Sequence, residues 1–265
     1  MKRYYIFLIM TILIFFSTCN KSRSEKANQN AADRGDISSL ESDAAGTSTT
    51  NGVQRLLTVF DNGVGYVHRF EYDGQNRMTK VSRTDTDEGT ITVKTITYSG
   101  AEPVSLTETG NGYTATKTFK RNMNSVTVNP GDYETVLTLD SDGFIIQEIE
   151  GEYESSYEYI NGNMTAYYGP SSIVTYTYDD QKSTSLCYTP KWILQLTGQA
   201  WFTETIWRNN MIEQSWSSLS EEAFDTDLGG GTNQITYEFD KDGYPIKAHW
   251  DFMGLESSTA TFEYK

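Results

Sequence analysis

One short pattern recurs along this chain and restricts what it can fold into. In Ile235-Thr-Tyr-Glu-Phe-Asp-Lys-Asp-Gly-Tyr-Pro-Ile-Lys-Ala248, alternating residues lead to an aromatic, an Asp and a Gly, and alternation then resumes. Leu139-Asp140-Ser141-Asp142-Gly143-Phe144 repeats it, and Tyr72-Asp73-Gly74-Gln75-Asn76-Arg77 has Asn76 where the Gly falls. Looser copies end strands at Tyr98, Phe119, Tyr159 and Tyr178. Alternation marks a strand with one buried face. A tight hairpin loop often needs one residue at positive φ, which Gly adopts freely and Asn tolerates. The leading Asp accepts hydrogen bonds from the amides of the turn. From Tyr98 to Tyr178 the anchors recur every ~20 residues, two strands plus two turns at ordinary lengths. The pattern predicts a succession of antiparallel hairpins.

Strands are expected over 54–60, 66–72, 77–83, 91–98, 104–108, 113–119, 125–128, 134–139, 144–150, 153–159, 164–168 and 172–178. All are rich in Thr, Tyr, Val and Ile and bounded by Gly, Asn, Asp or Pro. Residues 183–234 break the period. They hold Trp192, Trp201, Trp207 and Trp216, four of the five Trp, and the most apolar run of the domain, Ile193-Leu194-Gln195-Leu196. The break is expected to contain a hairpin of Trp201–Arg208 and Met211–Ser217 across Asn209-Asn210. A helical turn beginning at Ser220 and a flexible Gly229-Gly230-Gly231 loop follow, and a last hairpin closes on Ala260–Tyr264. The fold class is all-β: an antiparallel meander of sequential hairpins in a strongly curved or barrel-like sheet, one domain over residues 53–265.

The N-terminus supplies an address. Lys2 and Arg3 precede a largely apolar run, Tyr4 to Phe16, too short to span a bilayer as a helix and suited to an export signal. It ends Phe16-Ser17-Thr18-Cys19, which resembles a bacterial lipoprotein box with Phe16 in place of the usual Leu and Thr18 in place of Gly or Ala. The resemblance implies residues 1–18 as a cleaved signal and Cys19 as the lipidated residue; the alternative is a plain secretory signal or an uncleaved anchor. Residues 19–52 are poor in large apolar side chains and rich in Ser, Ala, Asn, Asp and Thr, as expected of a disordered tether. The formal charge is −15, and −17 once Lys2 and Arg3 leave with the signal. So acidic a chain argues against a nucleic-acid partner and against anionic membrane surfaces. The expected partner is a membrane reached through the lipid at Cys19.

The closing hairpin, Thr236-Tyr-Glu-Phe-Asp-Lys-Asp-Gly-Tyr-Pro245, resembles that of a Bacteroides-type lipoprotein family with a domain of unknown function described as porin-like. The likeness extends over most of residues 53–265. It implies a porin-like fold behind a lipoprotein signal and a polar tether, and no catalytic residues. Basic residues just after Cys19 imply, by the same likeness, an outer-membrane lipoprotein facing the periplasm. Tyr72-Asp73 with Arg77-Met78 resembles, more weakly, the Tyr-Asp repeats of large toxin shells.

The side-chain inventory leaves few chemistries. Asp140-Ser-Asp142-Gly143 and Asp240-Lys-Asp242-Gly243 look like the start of a calcium loop, but the twelfth positions are Gly151 and Asp251, and Lys241 stands between would-be ligands. These read as hairpin turns. The two His, His68 and His249, and the single remaining Cys187 do not make a zinc set. No Gly-x-Ser-x-Gly occurs, and carboxylate pairs such as Asp179-Asp180 and Glu221-Glu222 are commonplace in an acidic chain. No metal or cofactor is expected. The expected function is non-enzymatic binding or scaffolding in the envelope; the alternatives are an unrecognised hydrolase and a membrane-spanning barrel. Any ligand site is expected at Trp201, Trp207 and Trp216, since aromatic rings make apolar platforms. The competing reading is that these rings are core.

Overall fold

A computed structural model shows the molecule. The chain divides into two units, Met1–Gly52 and Val53–Lys265. The structure describes residues 55–129, 134–181, 183, 189–197, 208–219, 230–254 and 256–265.

Sixteen strands form a closed antiparallel barrel in sequence order, with the last strand pairing with the first. They are β1 (Leu57–Asp61), β2 (Tyr66–Tyr72), β3 (Met78–Asp85), β4 (Ile91–Ser99), β5 (Glu102–Gly110), β6 (Tyr113–Asn122), β7 (Ser125–Asn129) and β8 (Thr135–Leu139). Then come β9 (Ile145–Glu150), β10 (Tyr153–Ile160), β11 (Asn163–Tyr168), β12 (Ser172–Tyr178), β13 (Met211–Ser218), β14 (Gly230–Phe239), β15 (Pro245–Phe252) and β16 (Glu256–Tyr264). Among the described residues a short helix, α1 (Lys191–Thr197), lies between β12 and β13. The all-β hairpin meander read from the sequence is this barrel, and closure leaves no exposed sheet edge.

The repeated sequence unit is a bulged turn at one end of the barrel. Asp73, Asp140 and Asp240 each accept, through Oδ1, the amides two and four residues on, at 2.8–3.0 Å. The third residue after each Asp is left-handed: Asn76 at φ 59°, Gly143 at 83°, Gly243 at 81°. In the hairpins that leave β2, β4, β8, β10 and β14, the pairing register shifts just before the anchor, at Tyr72, Tyr98, Leu139, Tyr159 and Phe239. A bulge of this kind re-aims the side chain that follows it.

Six tyrosines tie this end of the barrel together. The hydroxyls of Tyr72, Tyr98, Tyr159, Tyr178, Tyr237 and Tyr264 donate to the carbonyls of Leu57, Met78, Ile145, Met164, Met211 and Pro245 at 2.7–2.8 Å. Each bond ties the end of an even-numbered strand to the start of the odd-numbered strand before it. Phe119 occupies the same place on β6 and meets the Trp192 ring edge-on at 5.1 Å.

The apolar core fills this end. Leu57, Phe70, Met78, Ile96, Leu106, Val126, Leu137, Ile145 and Met164 are buried among Trp192, Ile193 and Leu194 of α1. Gln195 fixes the helix by accepting from the Ile145 amide at 3.0 Å and donating to the Tyr159 hydroxyl at 2.9 Å. The apolar run of the sequence break, to which the sequence reading assigns no element, is therefore a helical plug.

Two further expectations for the break fail on geometry. Met211–Ser218 pairs with β12 on one side and β14 on the other. Both its edges are used, so it forms no hairpin across Asn209-Asn210. Those two residues instead bind Asn163 and Asp179. Gly230 and Gly231 are strand, opposite Ser217 and Trp216, not a flexible loop. A Cβ at Gly231 would lie 2.5 Å from the Trp216 ring, so only Gly fits beneath that indole.

Candidate functional site

Register sorts the side chains into an inner and an outer row. On the outer wall, Ser82 pairs with Val93, Thr95 with Thr107, and Thr107 with Thr116. Thr107 and Thr116 share a 3.0 Å hydroxyl contact, Ser215 and Thr232 one of 2.8 Å, and Lys80–Glu71 and Lys247–Glu238 are ion pairs. The outer wall of the described strands is thus rich in hydroxyls and paired charges.

The inner row changes character along the barrel axis. At the closed end it is apolar and buried. Toward the other end it becomes polar and wet: Arg83 and Thr92 pair, as do Lys94 and Glu108, Glu108 and Ala115, and Leu106 and Lys117. Ala115 and Lys117 face inward by register yet are exposed, so solvent enters this half of the lumen. The opposite wall contributes Glu148, Tyr157, Tyr167 and Trp216.

The charges in this half are placed by packing. Lys94 lies 3.6 Å from Glu108 and donates to the Thr197 carbonyl at 3.2 Å. Burial lowers its proton affinity, and Glu108 opposes that shift. Glu108 also accepts from Tyr113 at 2.6 Å. His68 is 5% exposed, stacked 5.7 Å from Phe60, and paired in register with Arg83. Burial first, then Arg83 and Lys94, lower its pKa to about 4, so the imidazole is neutral. Tyr157 donates to Glu148 at 2.9 Å, and burial followed by that carboxylate pushes its pKa far above the usual phenol.

Of the three Trp named as a ligand site, Trp216 is in the described lumen; Trp201 and Trp207 lie outside the described residues, as do Cys19 and Cys187. Trp216 is half-buried on β13, level with Val174 and Gly231. Trp192, grouped with it by sequence, is fully buried core. The two His face opposite sides of the wall: His249 is outside, 3.0 Å from both Glu238 and Thr259. Arg55 binds both Asp240 and Asp242, and Asp240 also accepts from the amides of Asp242 and Tyr244. Burial pushes the Asp240 carboxyl up, but the amides of Tyr244 and Asp242 and then Arg55 outweigh it and hold the pKa low. Among the described residues no cluster of three His, Cys, Asp or Glu is placed to hold a metal. The inward charges of β3 to β6 were missed in the sequence, although Lys94 is in phase with Ile96 and Tyr98.

The fold and lumen define a plugged, half-open, sixteen-stranded antiparallel barrel. No family model matches the chain, and no curated protein matches it. Among solved structures it is similar to a porin-like protein from Bacteroides uniformis ATCC 8492, at 13% identity and a TM-score of 0.33, covering 80% of this chain and 96% of that one. It is also similar to a porin-like protein from Bacteroides vulgatus ATCC 8482, at 12% identity and a TM-score of 0.41, covering 79% and 98%.

Proposed function

We propose that this chain is a non-enzymatic envelope lipoprotein, anchored through Cys19 at the outer membrane and facing the periplasm, whose barrel stays in water and holds a small solute in its half-open lumen. One observation carries the reading: an apolar plug closes one half of the barrel, while polar and aromatic side chains on rigid strands line the other. A spanning barrel needs strands of about 9–11 residues with an apolar lipid face. Many strands here are shorter, and the outer wall carries Thr rows and ion pairs. Placing such charges at the bilayer midplane costs about 2–4 kcal/mol each for Lys or Arg. A channel would also have to pass Trp192, which seals the closed half.

Two measurements test this. In planar bilayers the purified protein is expected to give no stepwise conductance; reproducible conductance steps overturn the water-soluble reading. A small-solute library is then screened by ligand-observed NMR against the protein and its Ala115→Trp variant, whose indole would fill the open lumen. Binding that the variant loses supports the cup, and binding that the variant keeps places the site elsewhere and overturns it.

A further inference from the structure

Resting on that reading of the lumen, we propose that the open half recognises the anionic group of a small carboxylate- or phosphate-bearing solute, held by Arg83 and Lys117 with Lys94 behind them. The chain carries 36 acidic and 21 basic residues, so carboxylates are in excess. Most described cations outside the lumen have one: Arg55 pairs with Asp240, Arg77 with Asp73, Lys80 with Glu71, and Arg121 with Glu102. Arg83 and Lys117 face the lumen, and among the described residues neither is in an ion pair. The Arg83 guanidinium carbon lies over the Tyr66 ring, 5.0 Å from its centroid. A guanidinium fork matches a planar or tetrahedral anion.

The surroundings point the same way. Glu108, on β5 between these cations, is already shared by Lys94 and Tyr113. Lys94 sits within the field of both Lys117 and Arg83, and each lowers its proton affinity. The other inward carboxylates are engaged by tyrosines, Asp85 by Tyr66 and Glu148 by Tyr157, so Arg83 and Lys117 stand as inward cations without an ion pair among the described residues. His68, level with Arg83, adds a buried Nδ1 that has no hydrogen-bond partner. An anion in the open half would relieve the repulsion and accept hydrogen bonds from Arg83 and Lys117.

The test uses three probes of one shape: benzoate, phenyl phosphate and neutral benzamide, each measured by equilibrium dialysis against the full chain. At least one anion is expected to bind about tenfold or more tighter than benzamide, as one or two charge-assisted hydrogen bonds provide. The preference is expected to weaken with added salt. The tighter of the two anions identifies the headgroup. Arg83→Gln and Lys117→Gln should each lower anion binding several-fold, and Arg83→Lys should recover part of it. Arg69→Gln, on the outer face of β2, should change nothing. Equal binding of benzoate and benzamide overturns the anion assignment and leaves the cup standing. So does anion binding that is indifferent to Arg83 and Lys117. Retention of neither anion also overturns it, and the cup is then judged separately by the Ala115→Trp screen.

Discussion

Burial of His68 makes the barrel's stability depend on pH in a window where carboxylates contribute little. An unfolded His titrates near 6.5, and in the wall, between Phe60 and the Arg83 and Lys94 charges, the value falls to about 4. The unfolded chain therefore binds the proton more tightly throughout that interval. Above the unfolded value both states are neutral and the full stability is present. It is lost as pH falls through 6.5, and the loss is complete below about 4. The shift corresponds to about 2 kcal/mol by pH 5 and about 3 kcal/mol at its limit. The perturbation is His68→Phe, which keeps a flat ring against Phe60 and removes the titration. Urea unfolding of both proteins from about pH 7.5 down to pH 5 gives the difference. The carboxyls of Asp73, Asp240 and Glu238, which titrate lower, are common to both proteins and cancel. The wild type is expected to lose about 2 kcal/mol relative to the variant across that range. A difference that stays flat with pH refutes the claim that the imidazole is held neutral in the wall.

Other expectations follow from the closed end and the leader. Gly143→Val and Gly243→Val should each cost about 1–3 kcal/mol in chemical denaturation. The added Cβ meets nothing within 4 Å, so the cost is backbone strain alone. Gly143→Asn should cost far less, because Asn76 already holds the same turn position, and equal costs for Val and Asn would refute the strain argument. Tyr→Phe at Tyr72, Tyr98 or Tyr178 should each cost about 1 kcal/mol by leaving a strand-start carbonyl without its donor; no loss in any of the three would remove the tyrosine ties as a stabilising device. Cys19→Ser should abolish processing and detergent-phase partitioning, and a variant that still partitions would refute the lipid anchor.

The fold was legible because each hairpin carries its own local code. Strand alternation, the Asp that caps the turn and the left-handed Gly or Asn are all set within about ten residues, so no distant contact had to be known. Tyr66–Tyr72 and Ser172–Tyr178 match the observed strands to the residue. Closure, in contrast, is a pairing of β1 with β16 across nearly the whole domain, and nothing local encodes it. The break failed for the same reason. Met211–Ser218 resembles one arm of a hairpin, but its partners are β12 and β14, and the apolar run before it folds as a helix because it enters a lumen that β-neighbours already surround.

The lumen charges were hidden by the rule that revealed the strands. Alternation sorts residues into two rows and treats the polar row as the outside. On β4 the inner row runs Tyr98, Ile96, Lys94, Thr92, passing from buried ring to wet polar group without changing phase. On β6 the inner row runs Phe119, Lys117, Ala115, Tyr113, and all but Phe119 are exposed, so exposure alone is uninformative until the register with Leu106 turns Lys117 inward. A charged residue in phase with an apolar row thus has two readings in a single strand: the fraying end of a solvated strand, or the wall of a cavity. Only the neighbouring strand decides, since Lys94 opposite Glu108 and Val81 is inside the barrel while Lys80 opposite Glu71 is outside it. The information that locates a lumen site in a meander is carried by pairs of strands, and a single strand does not contain it.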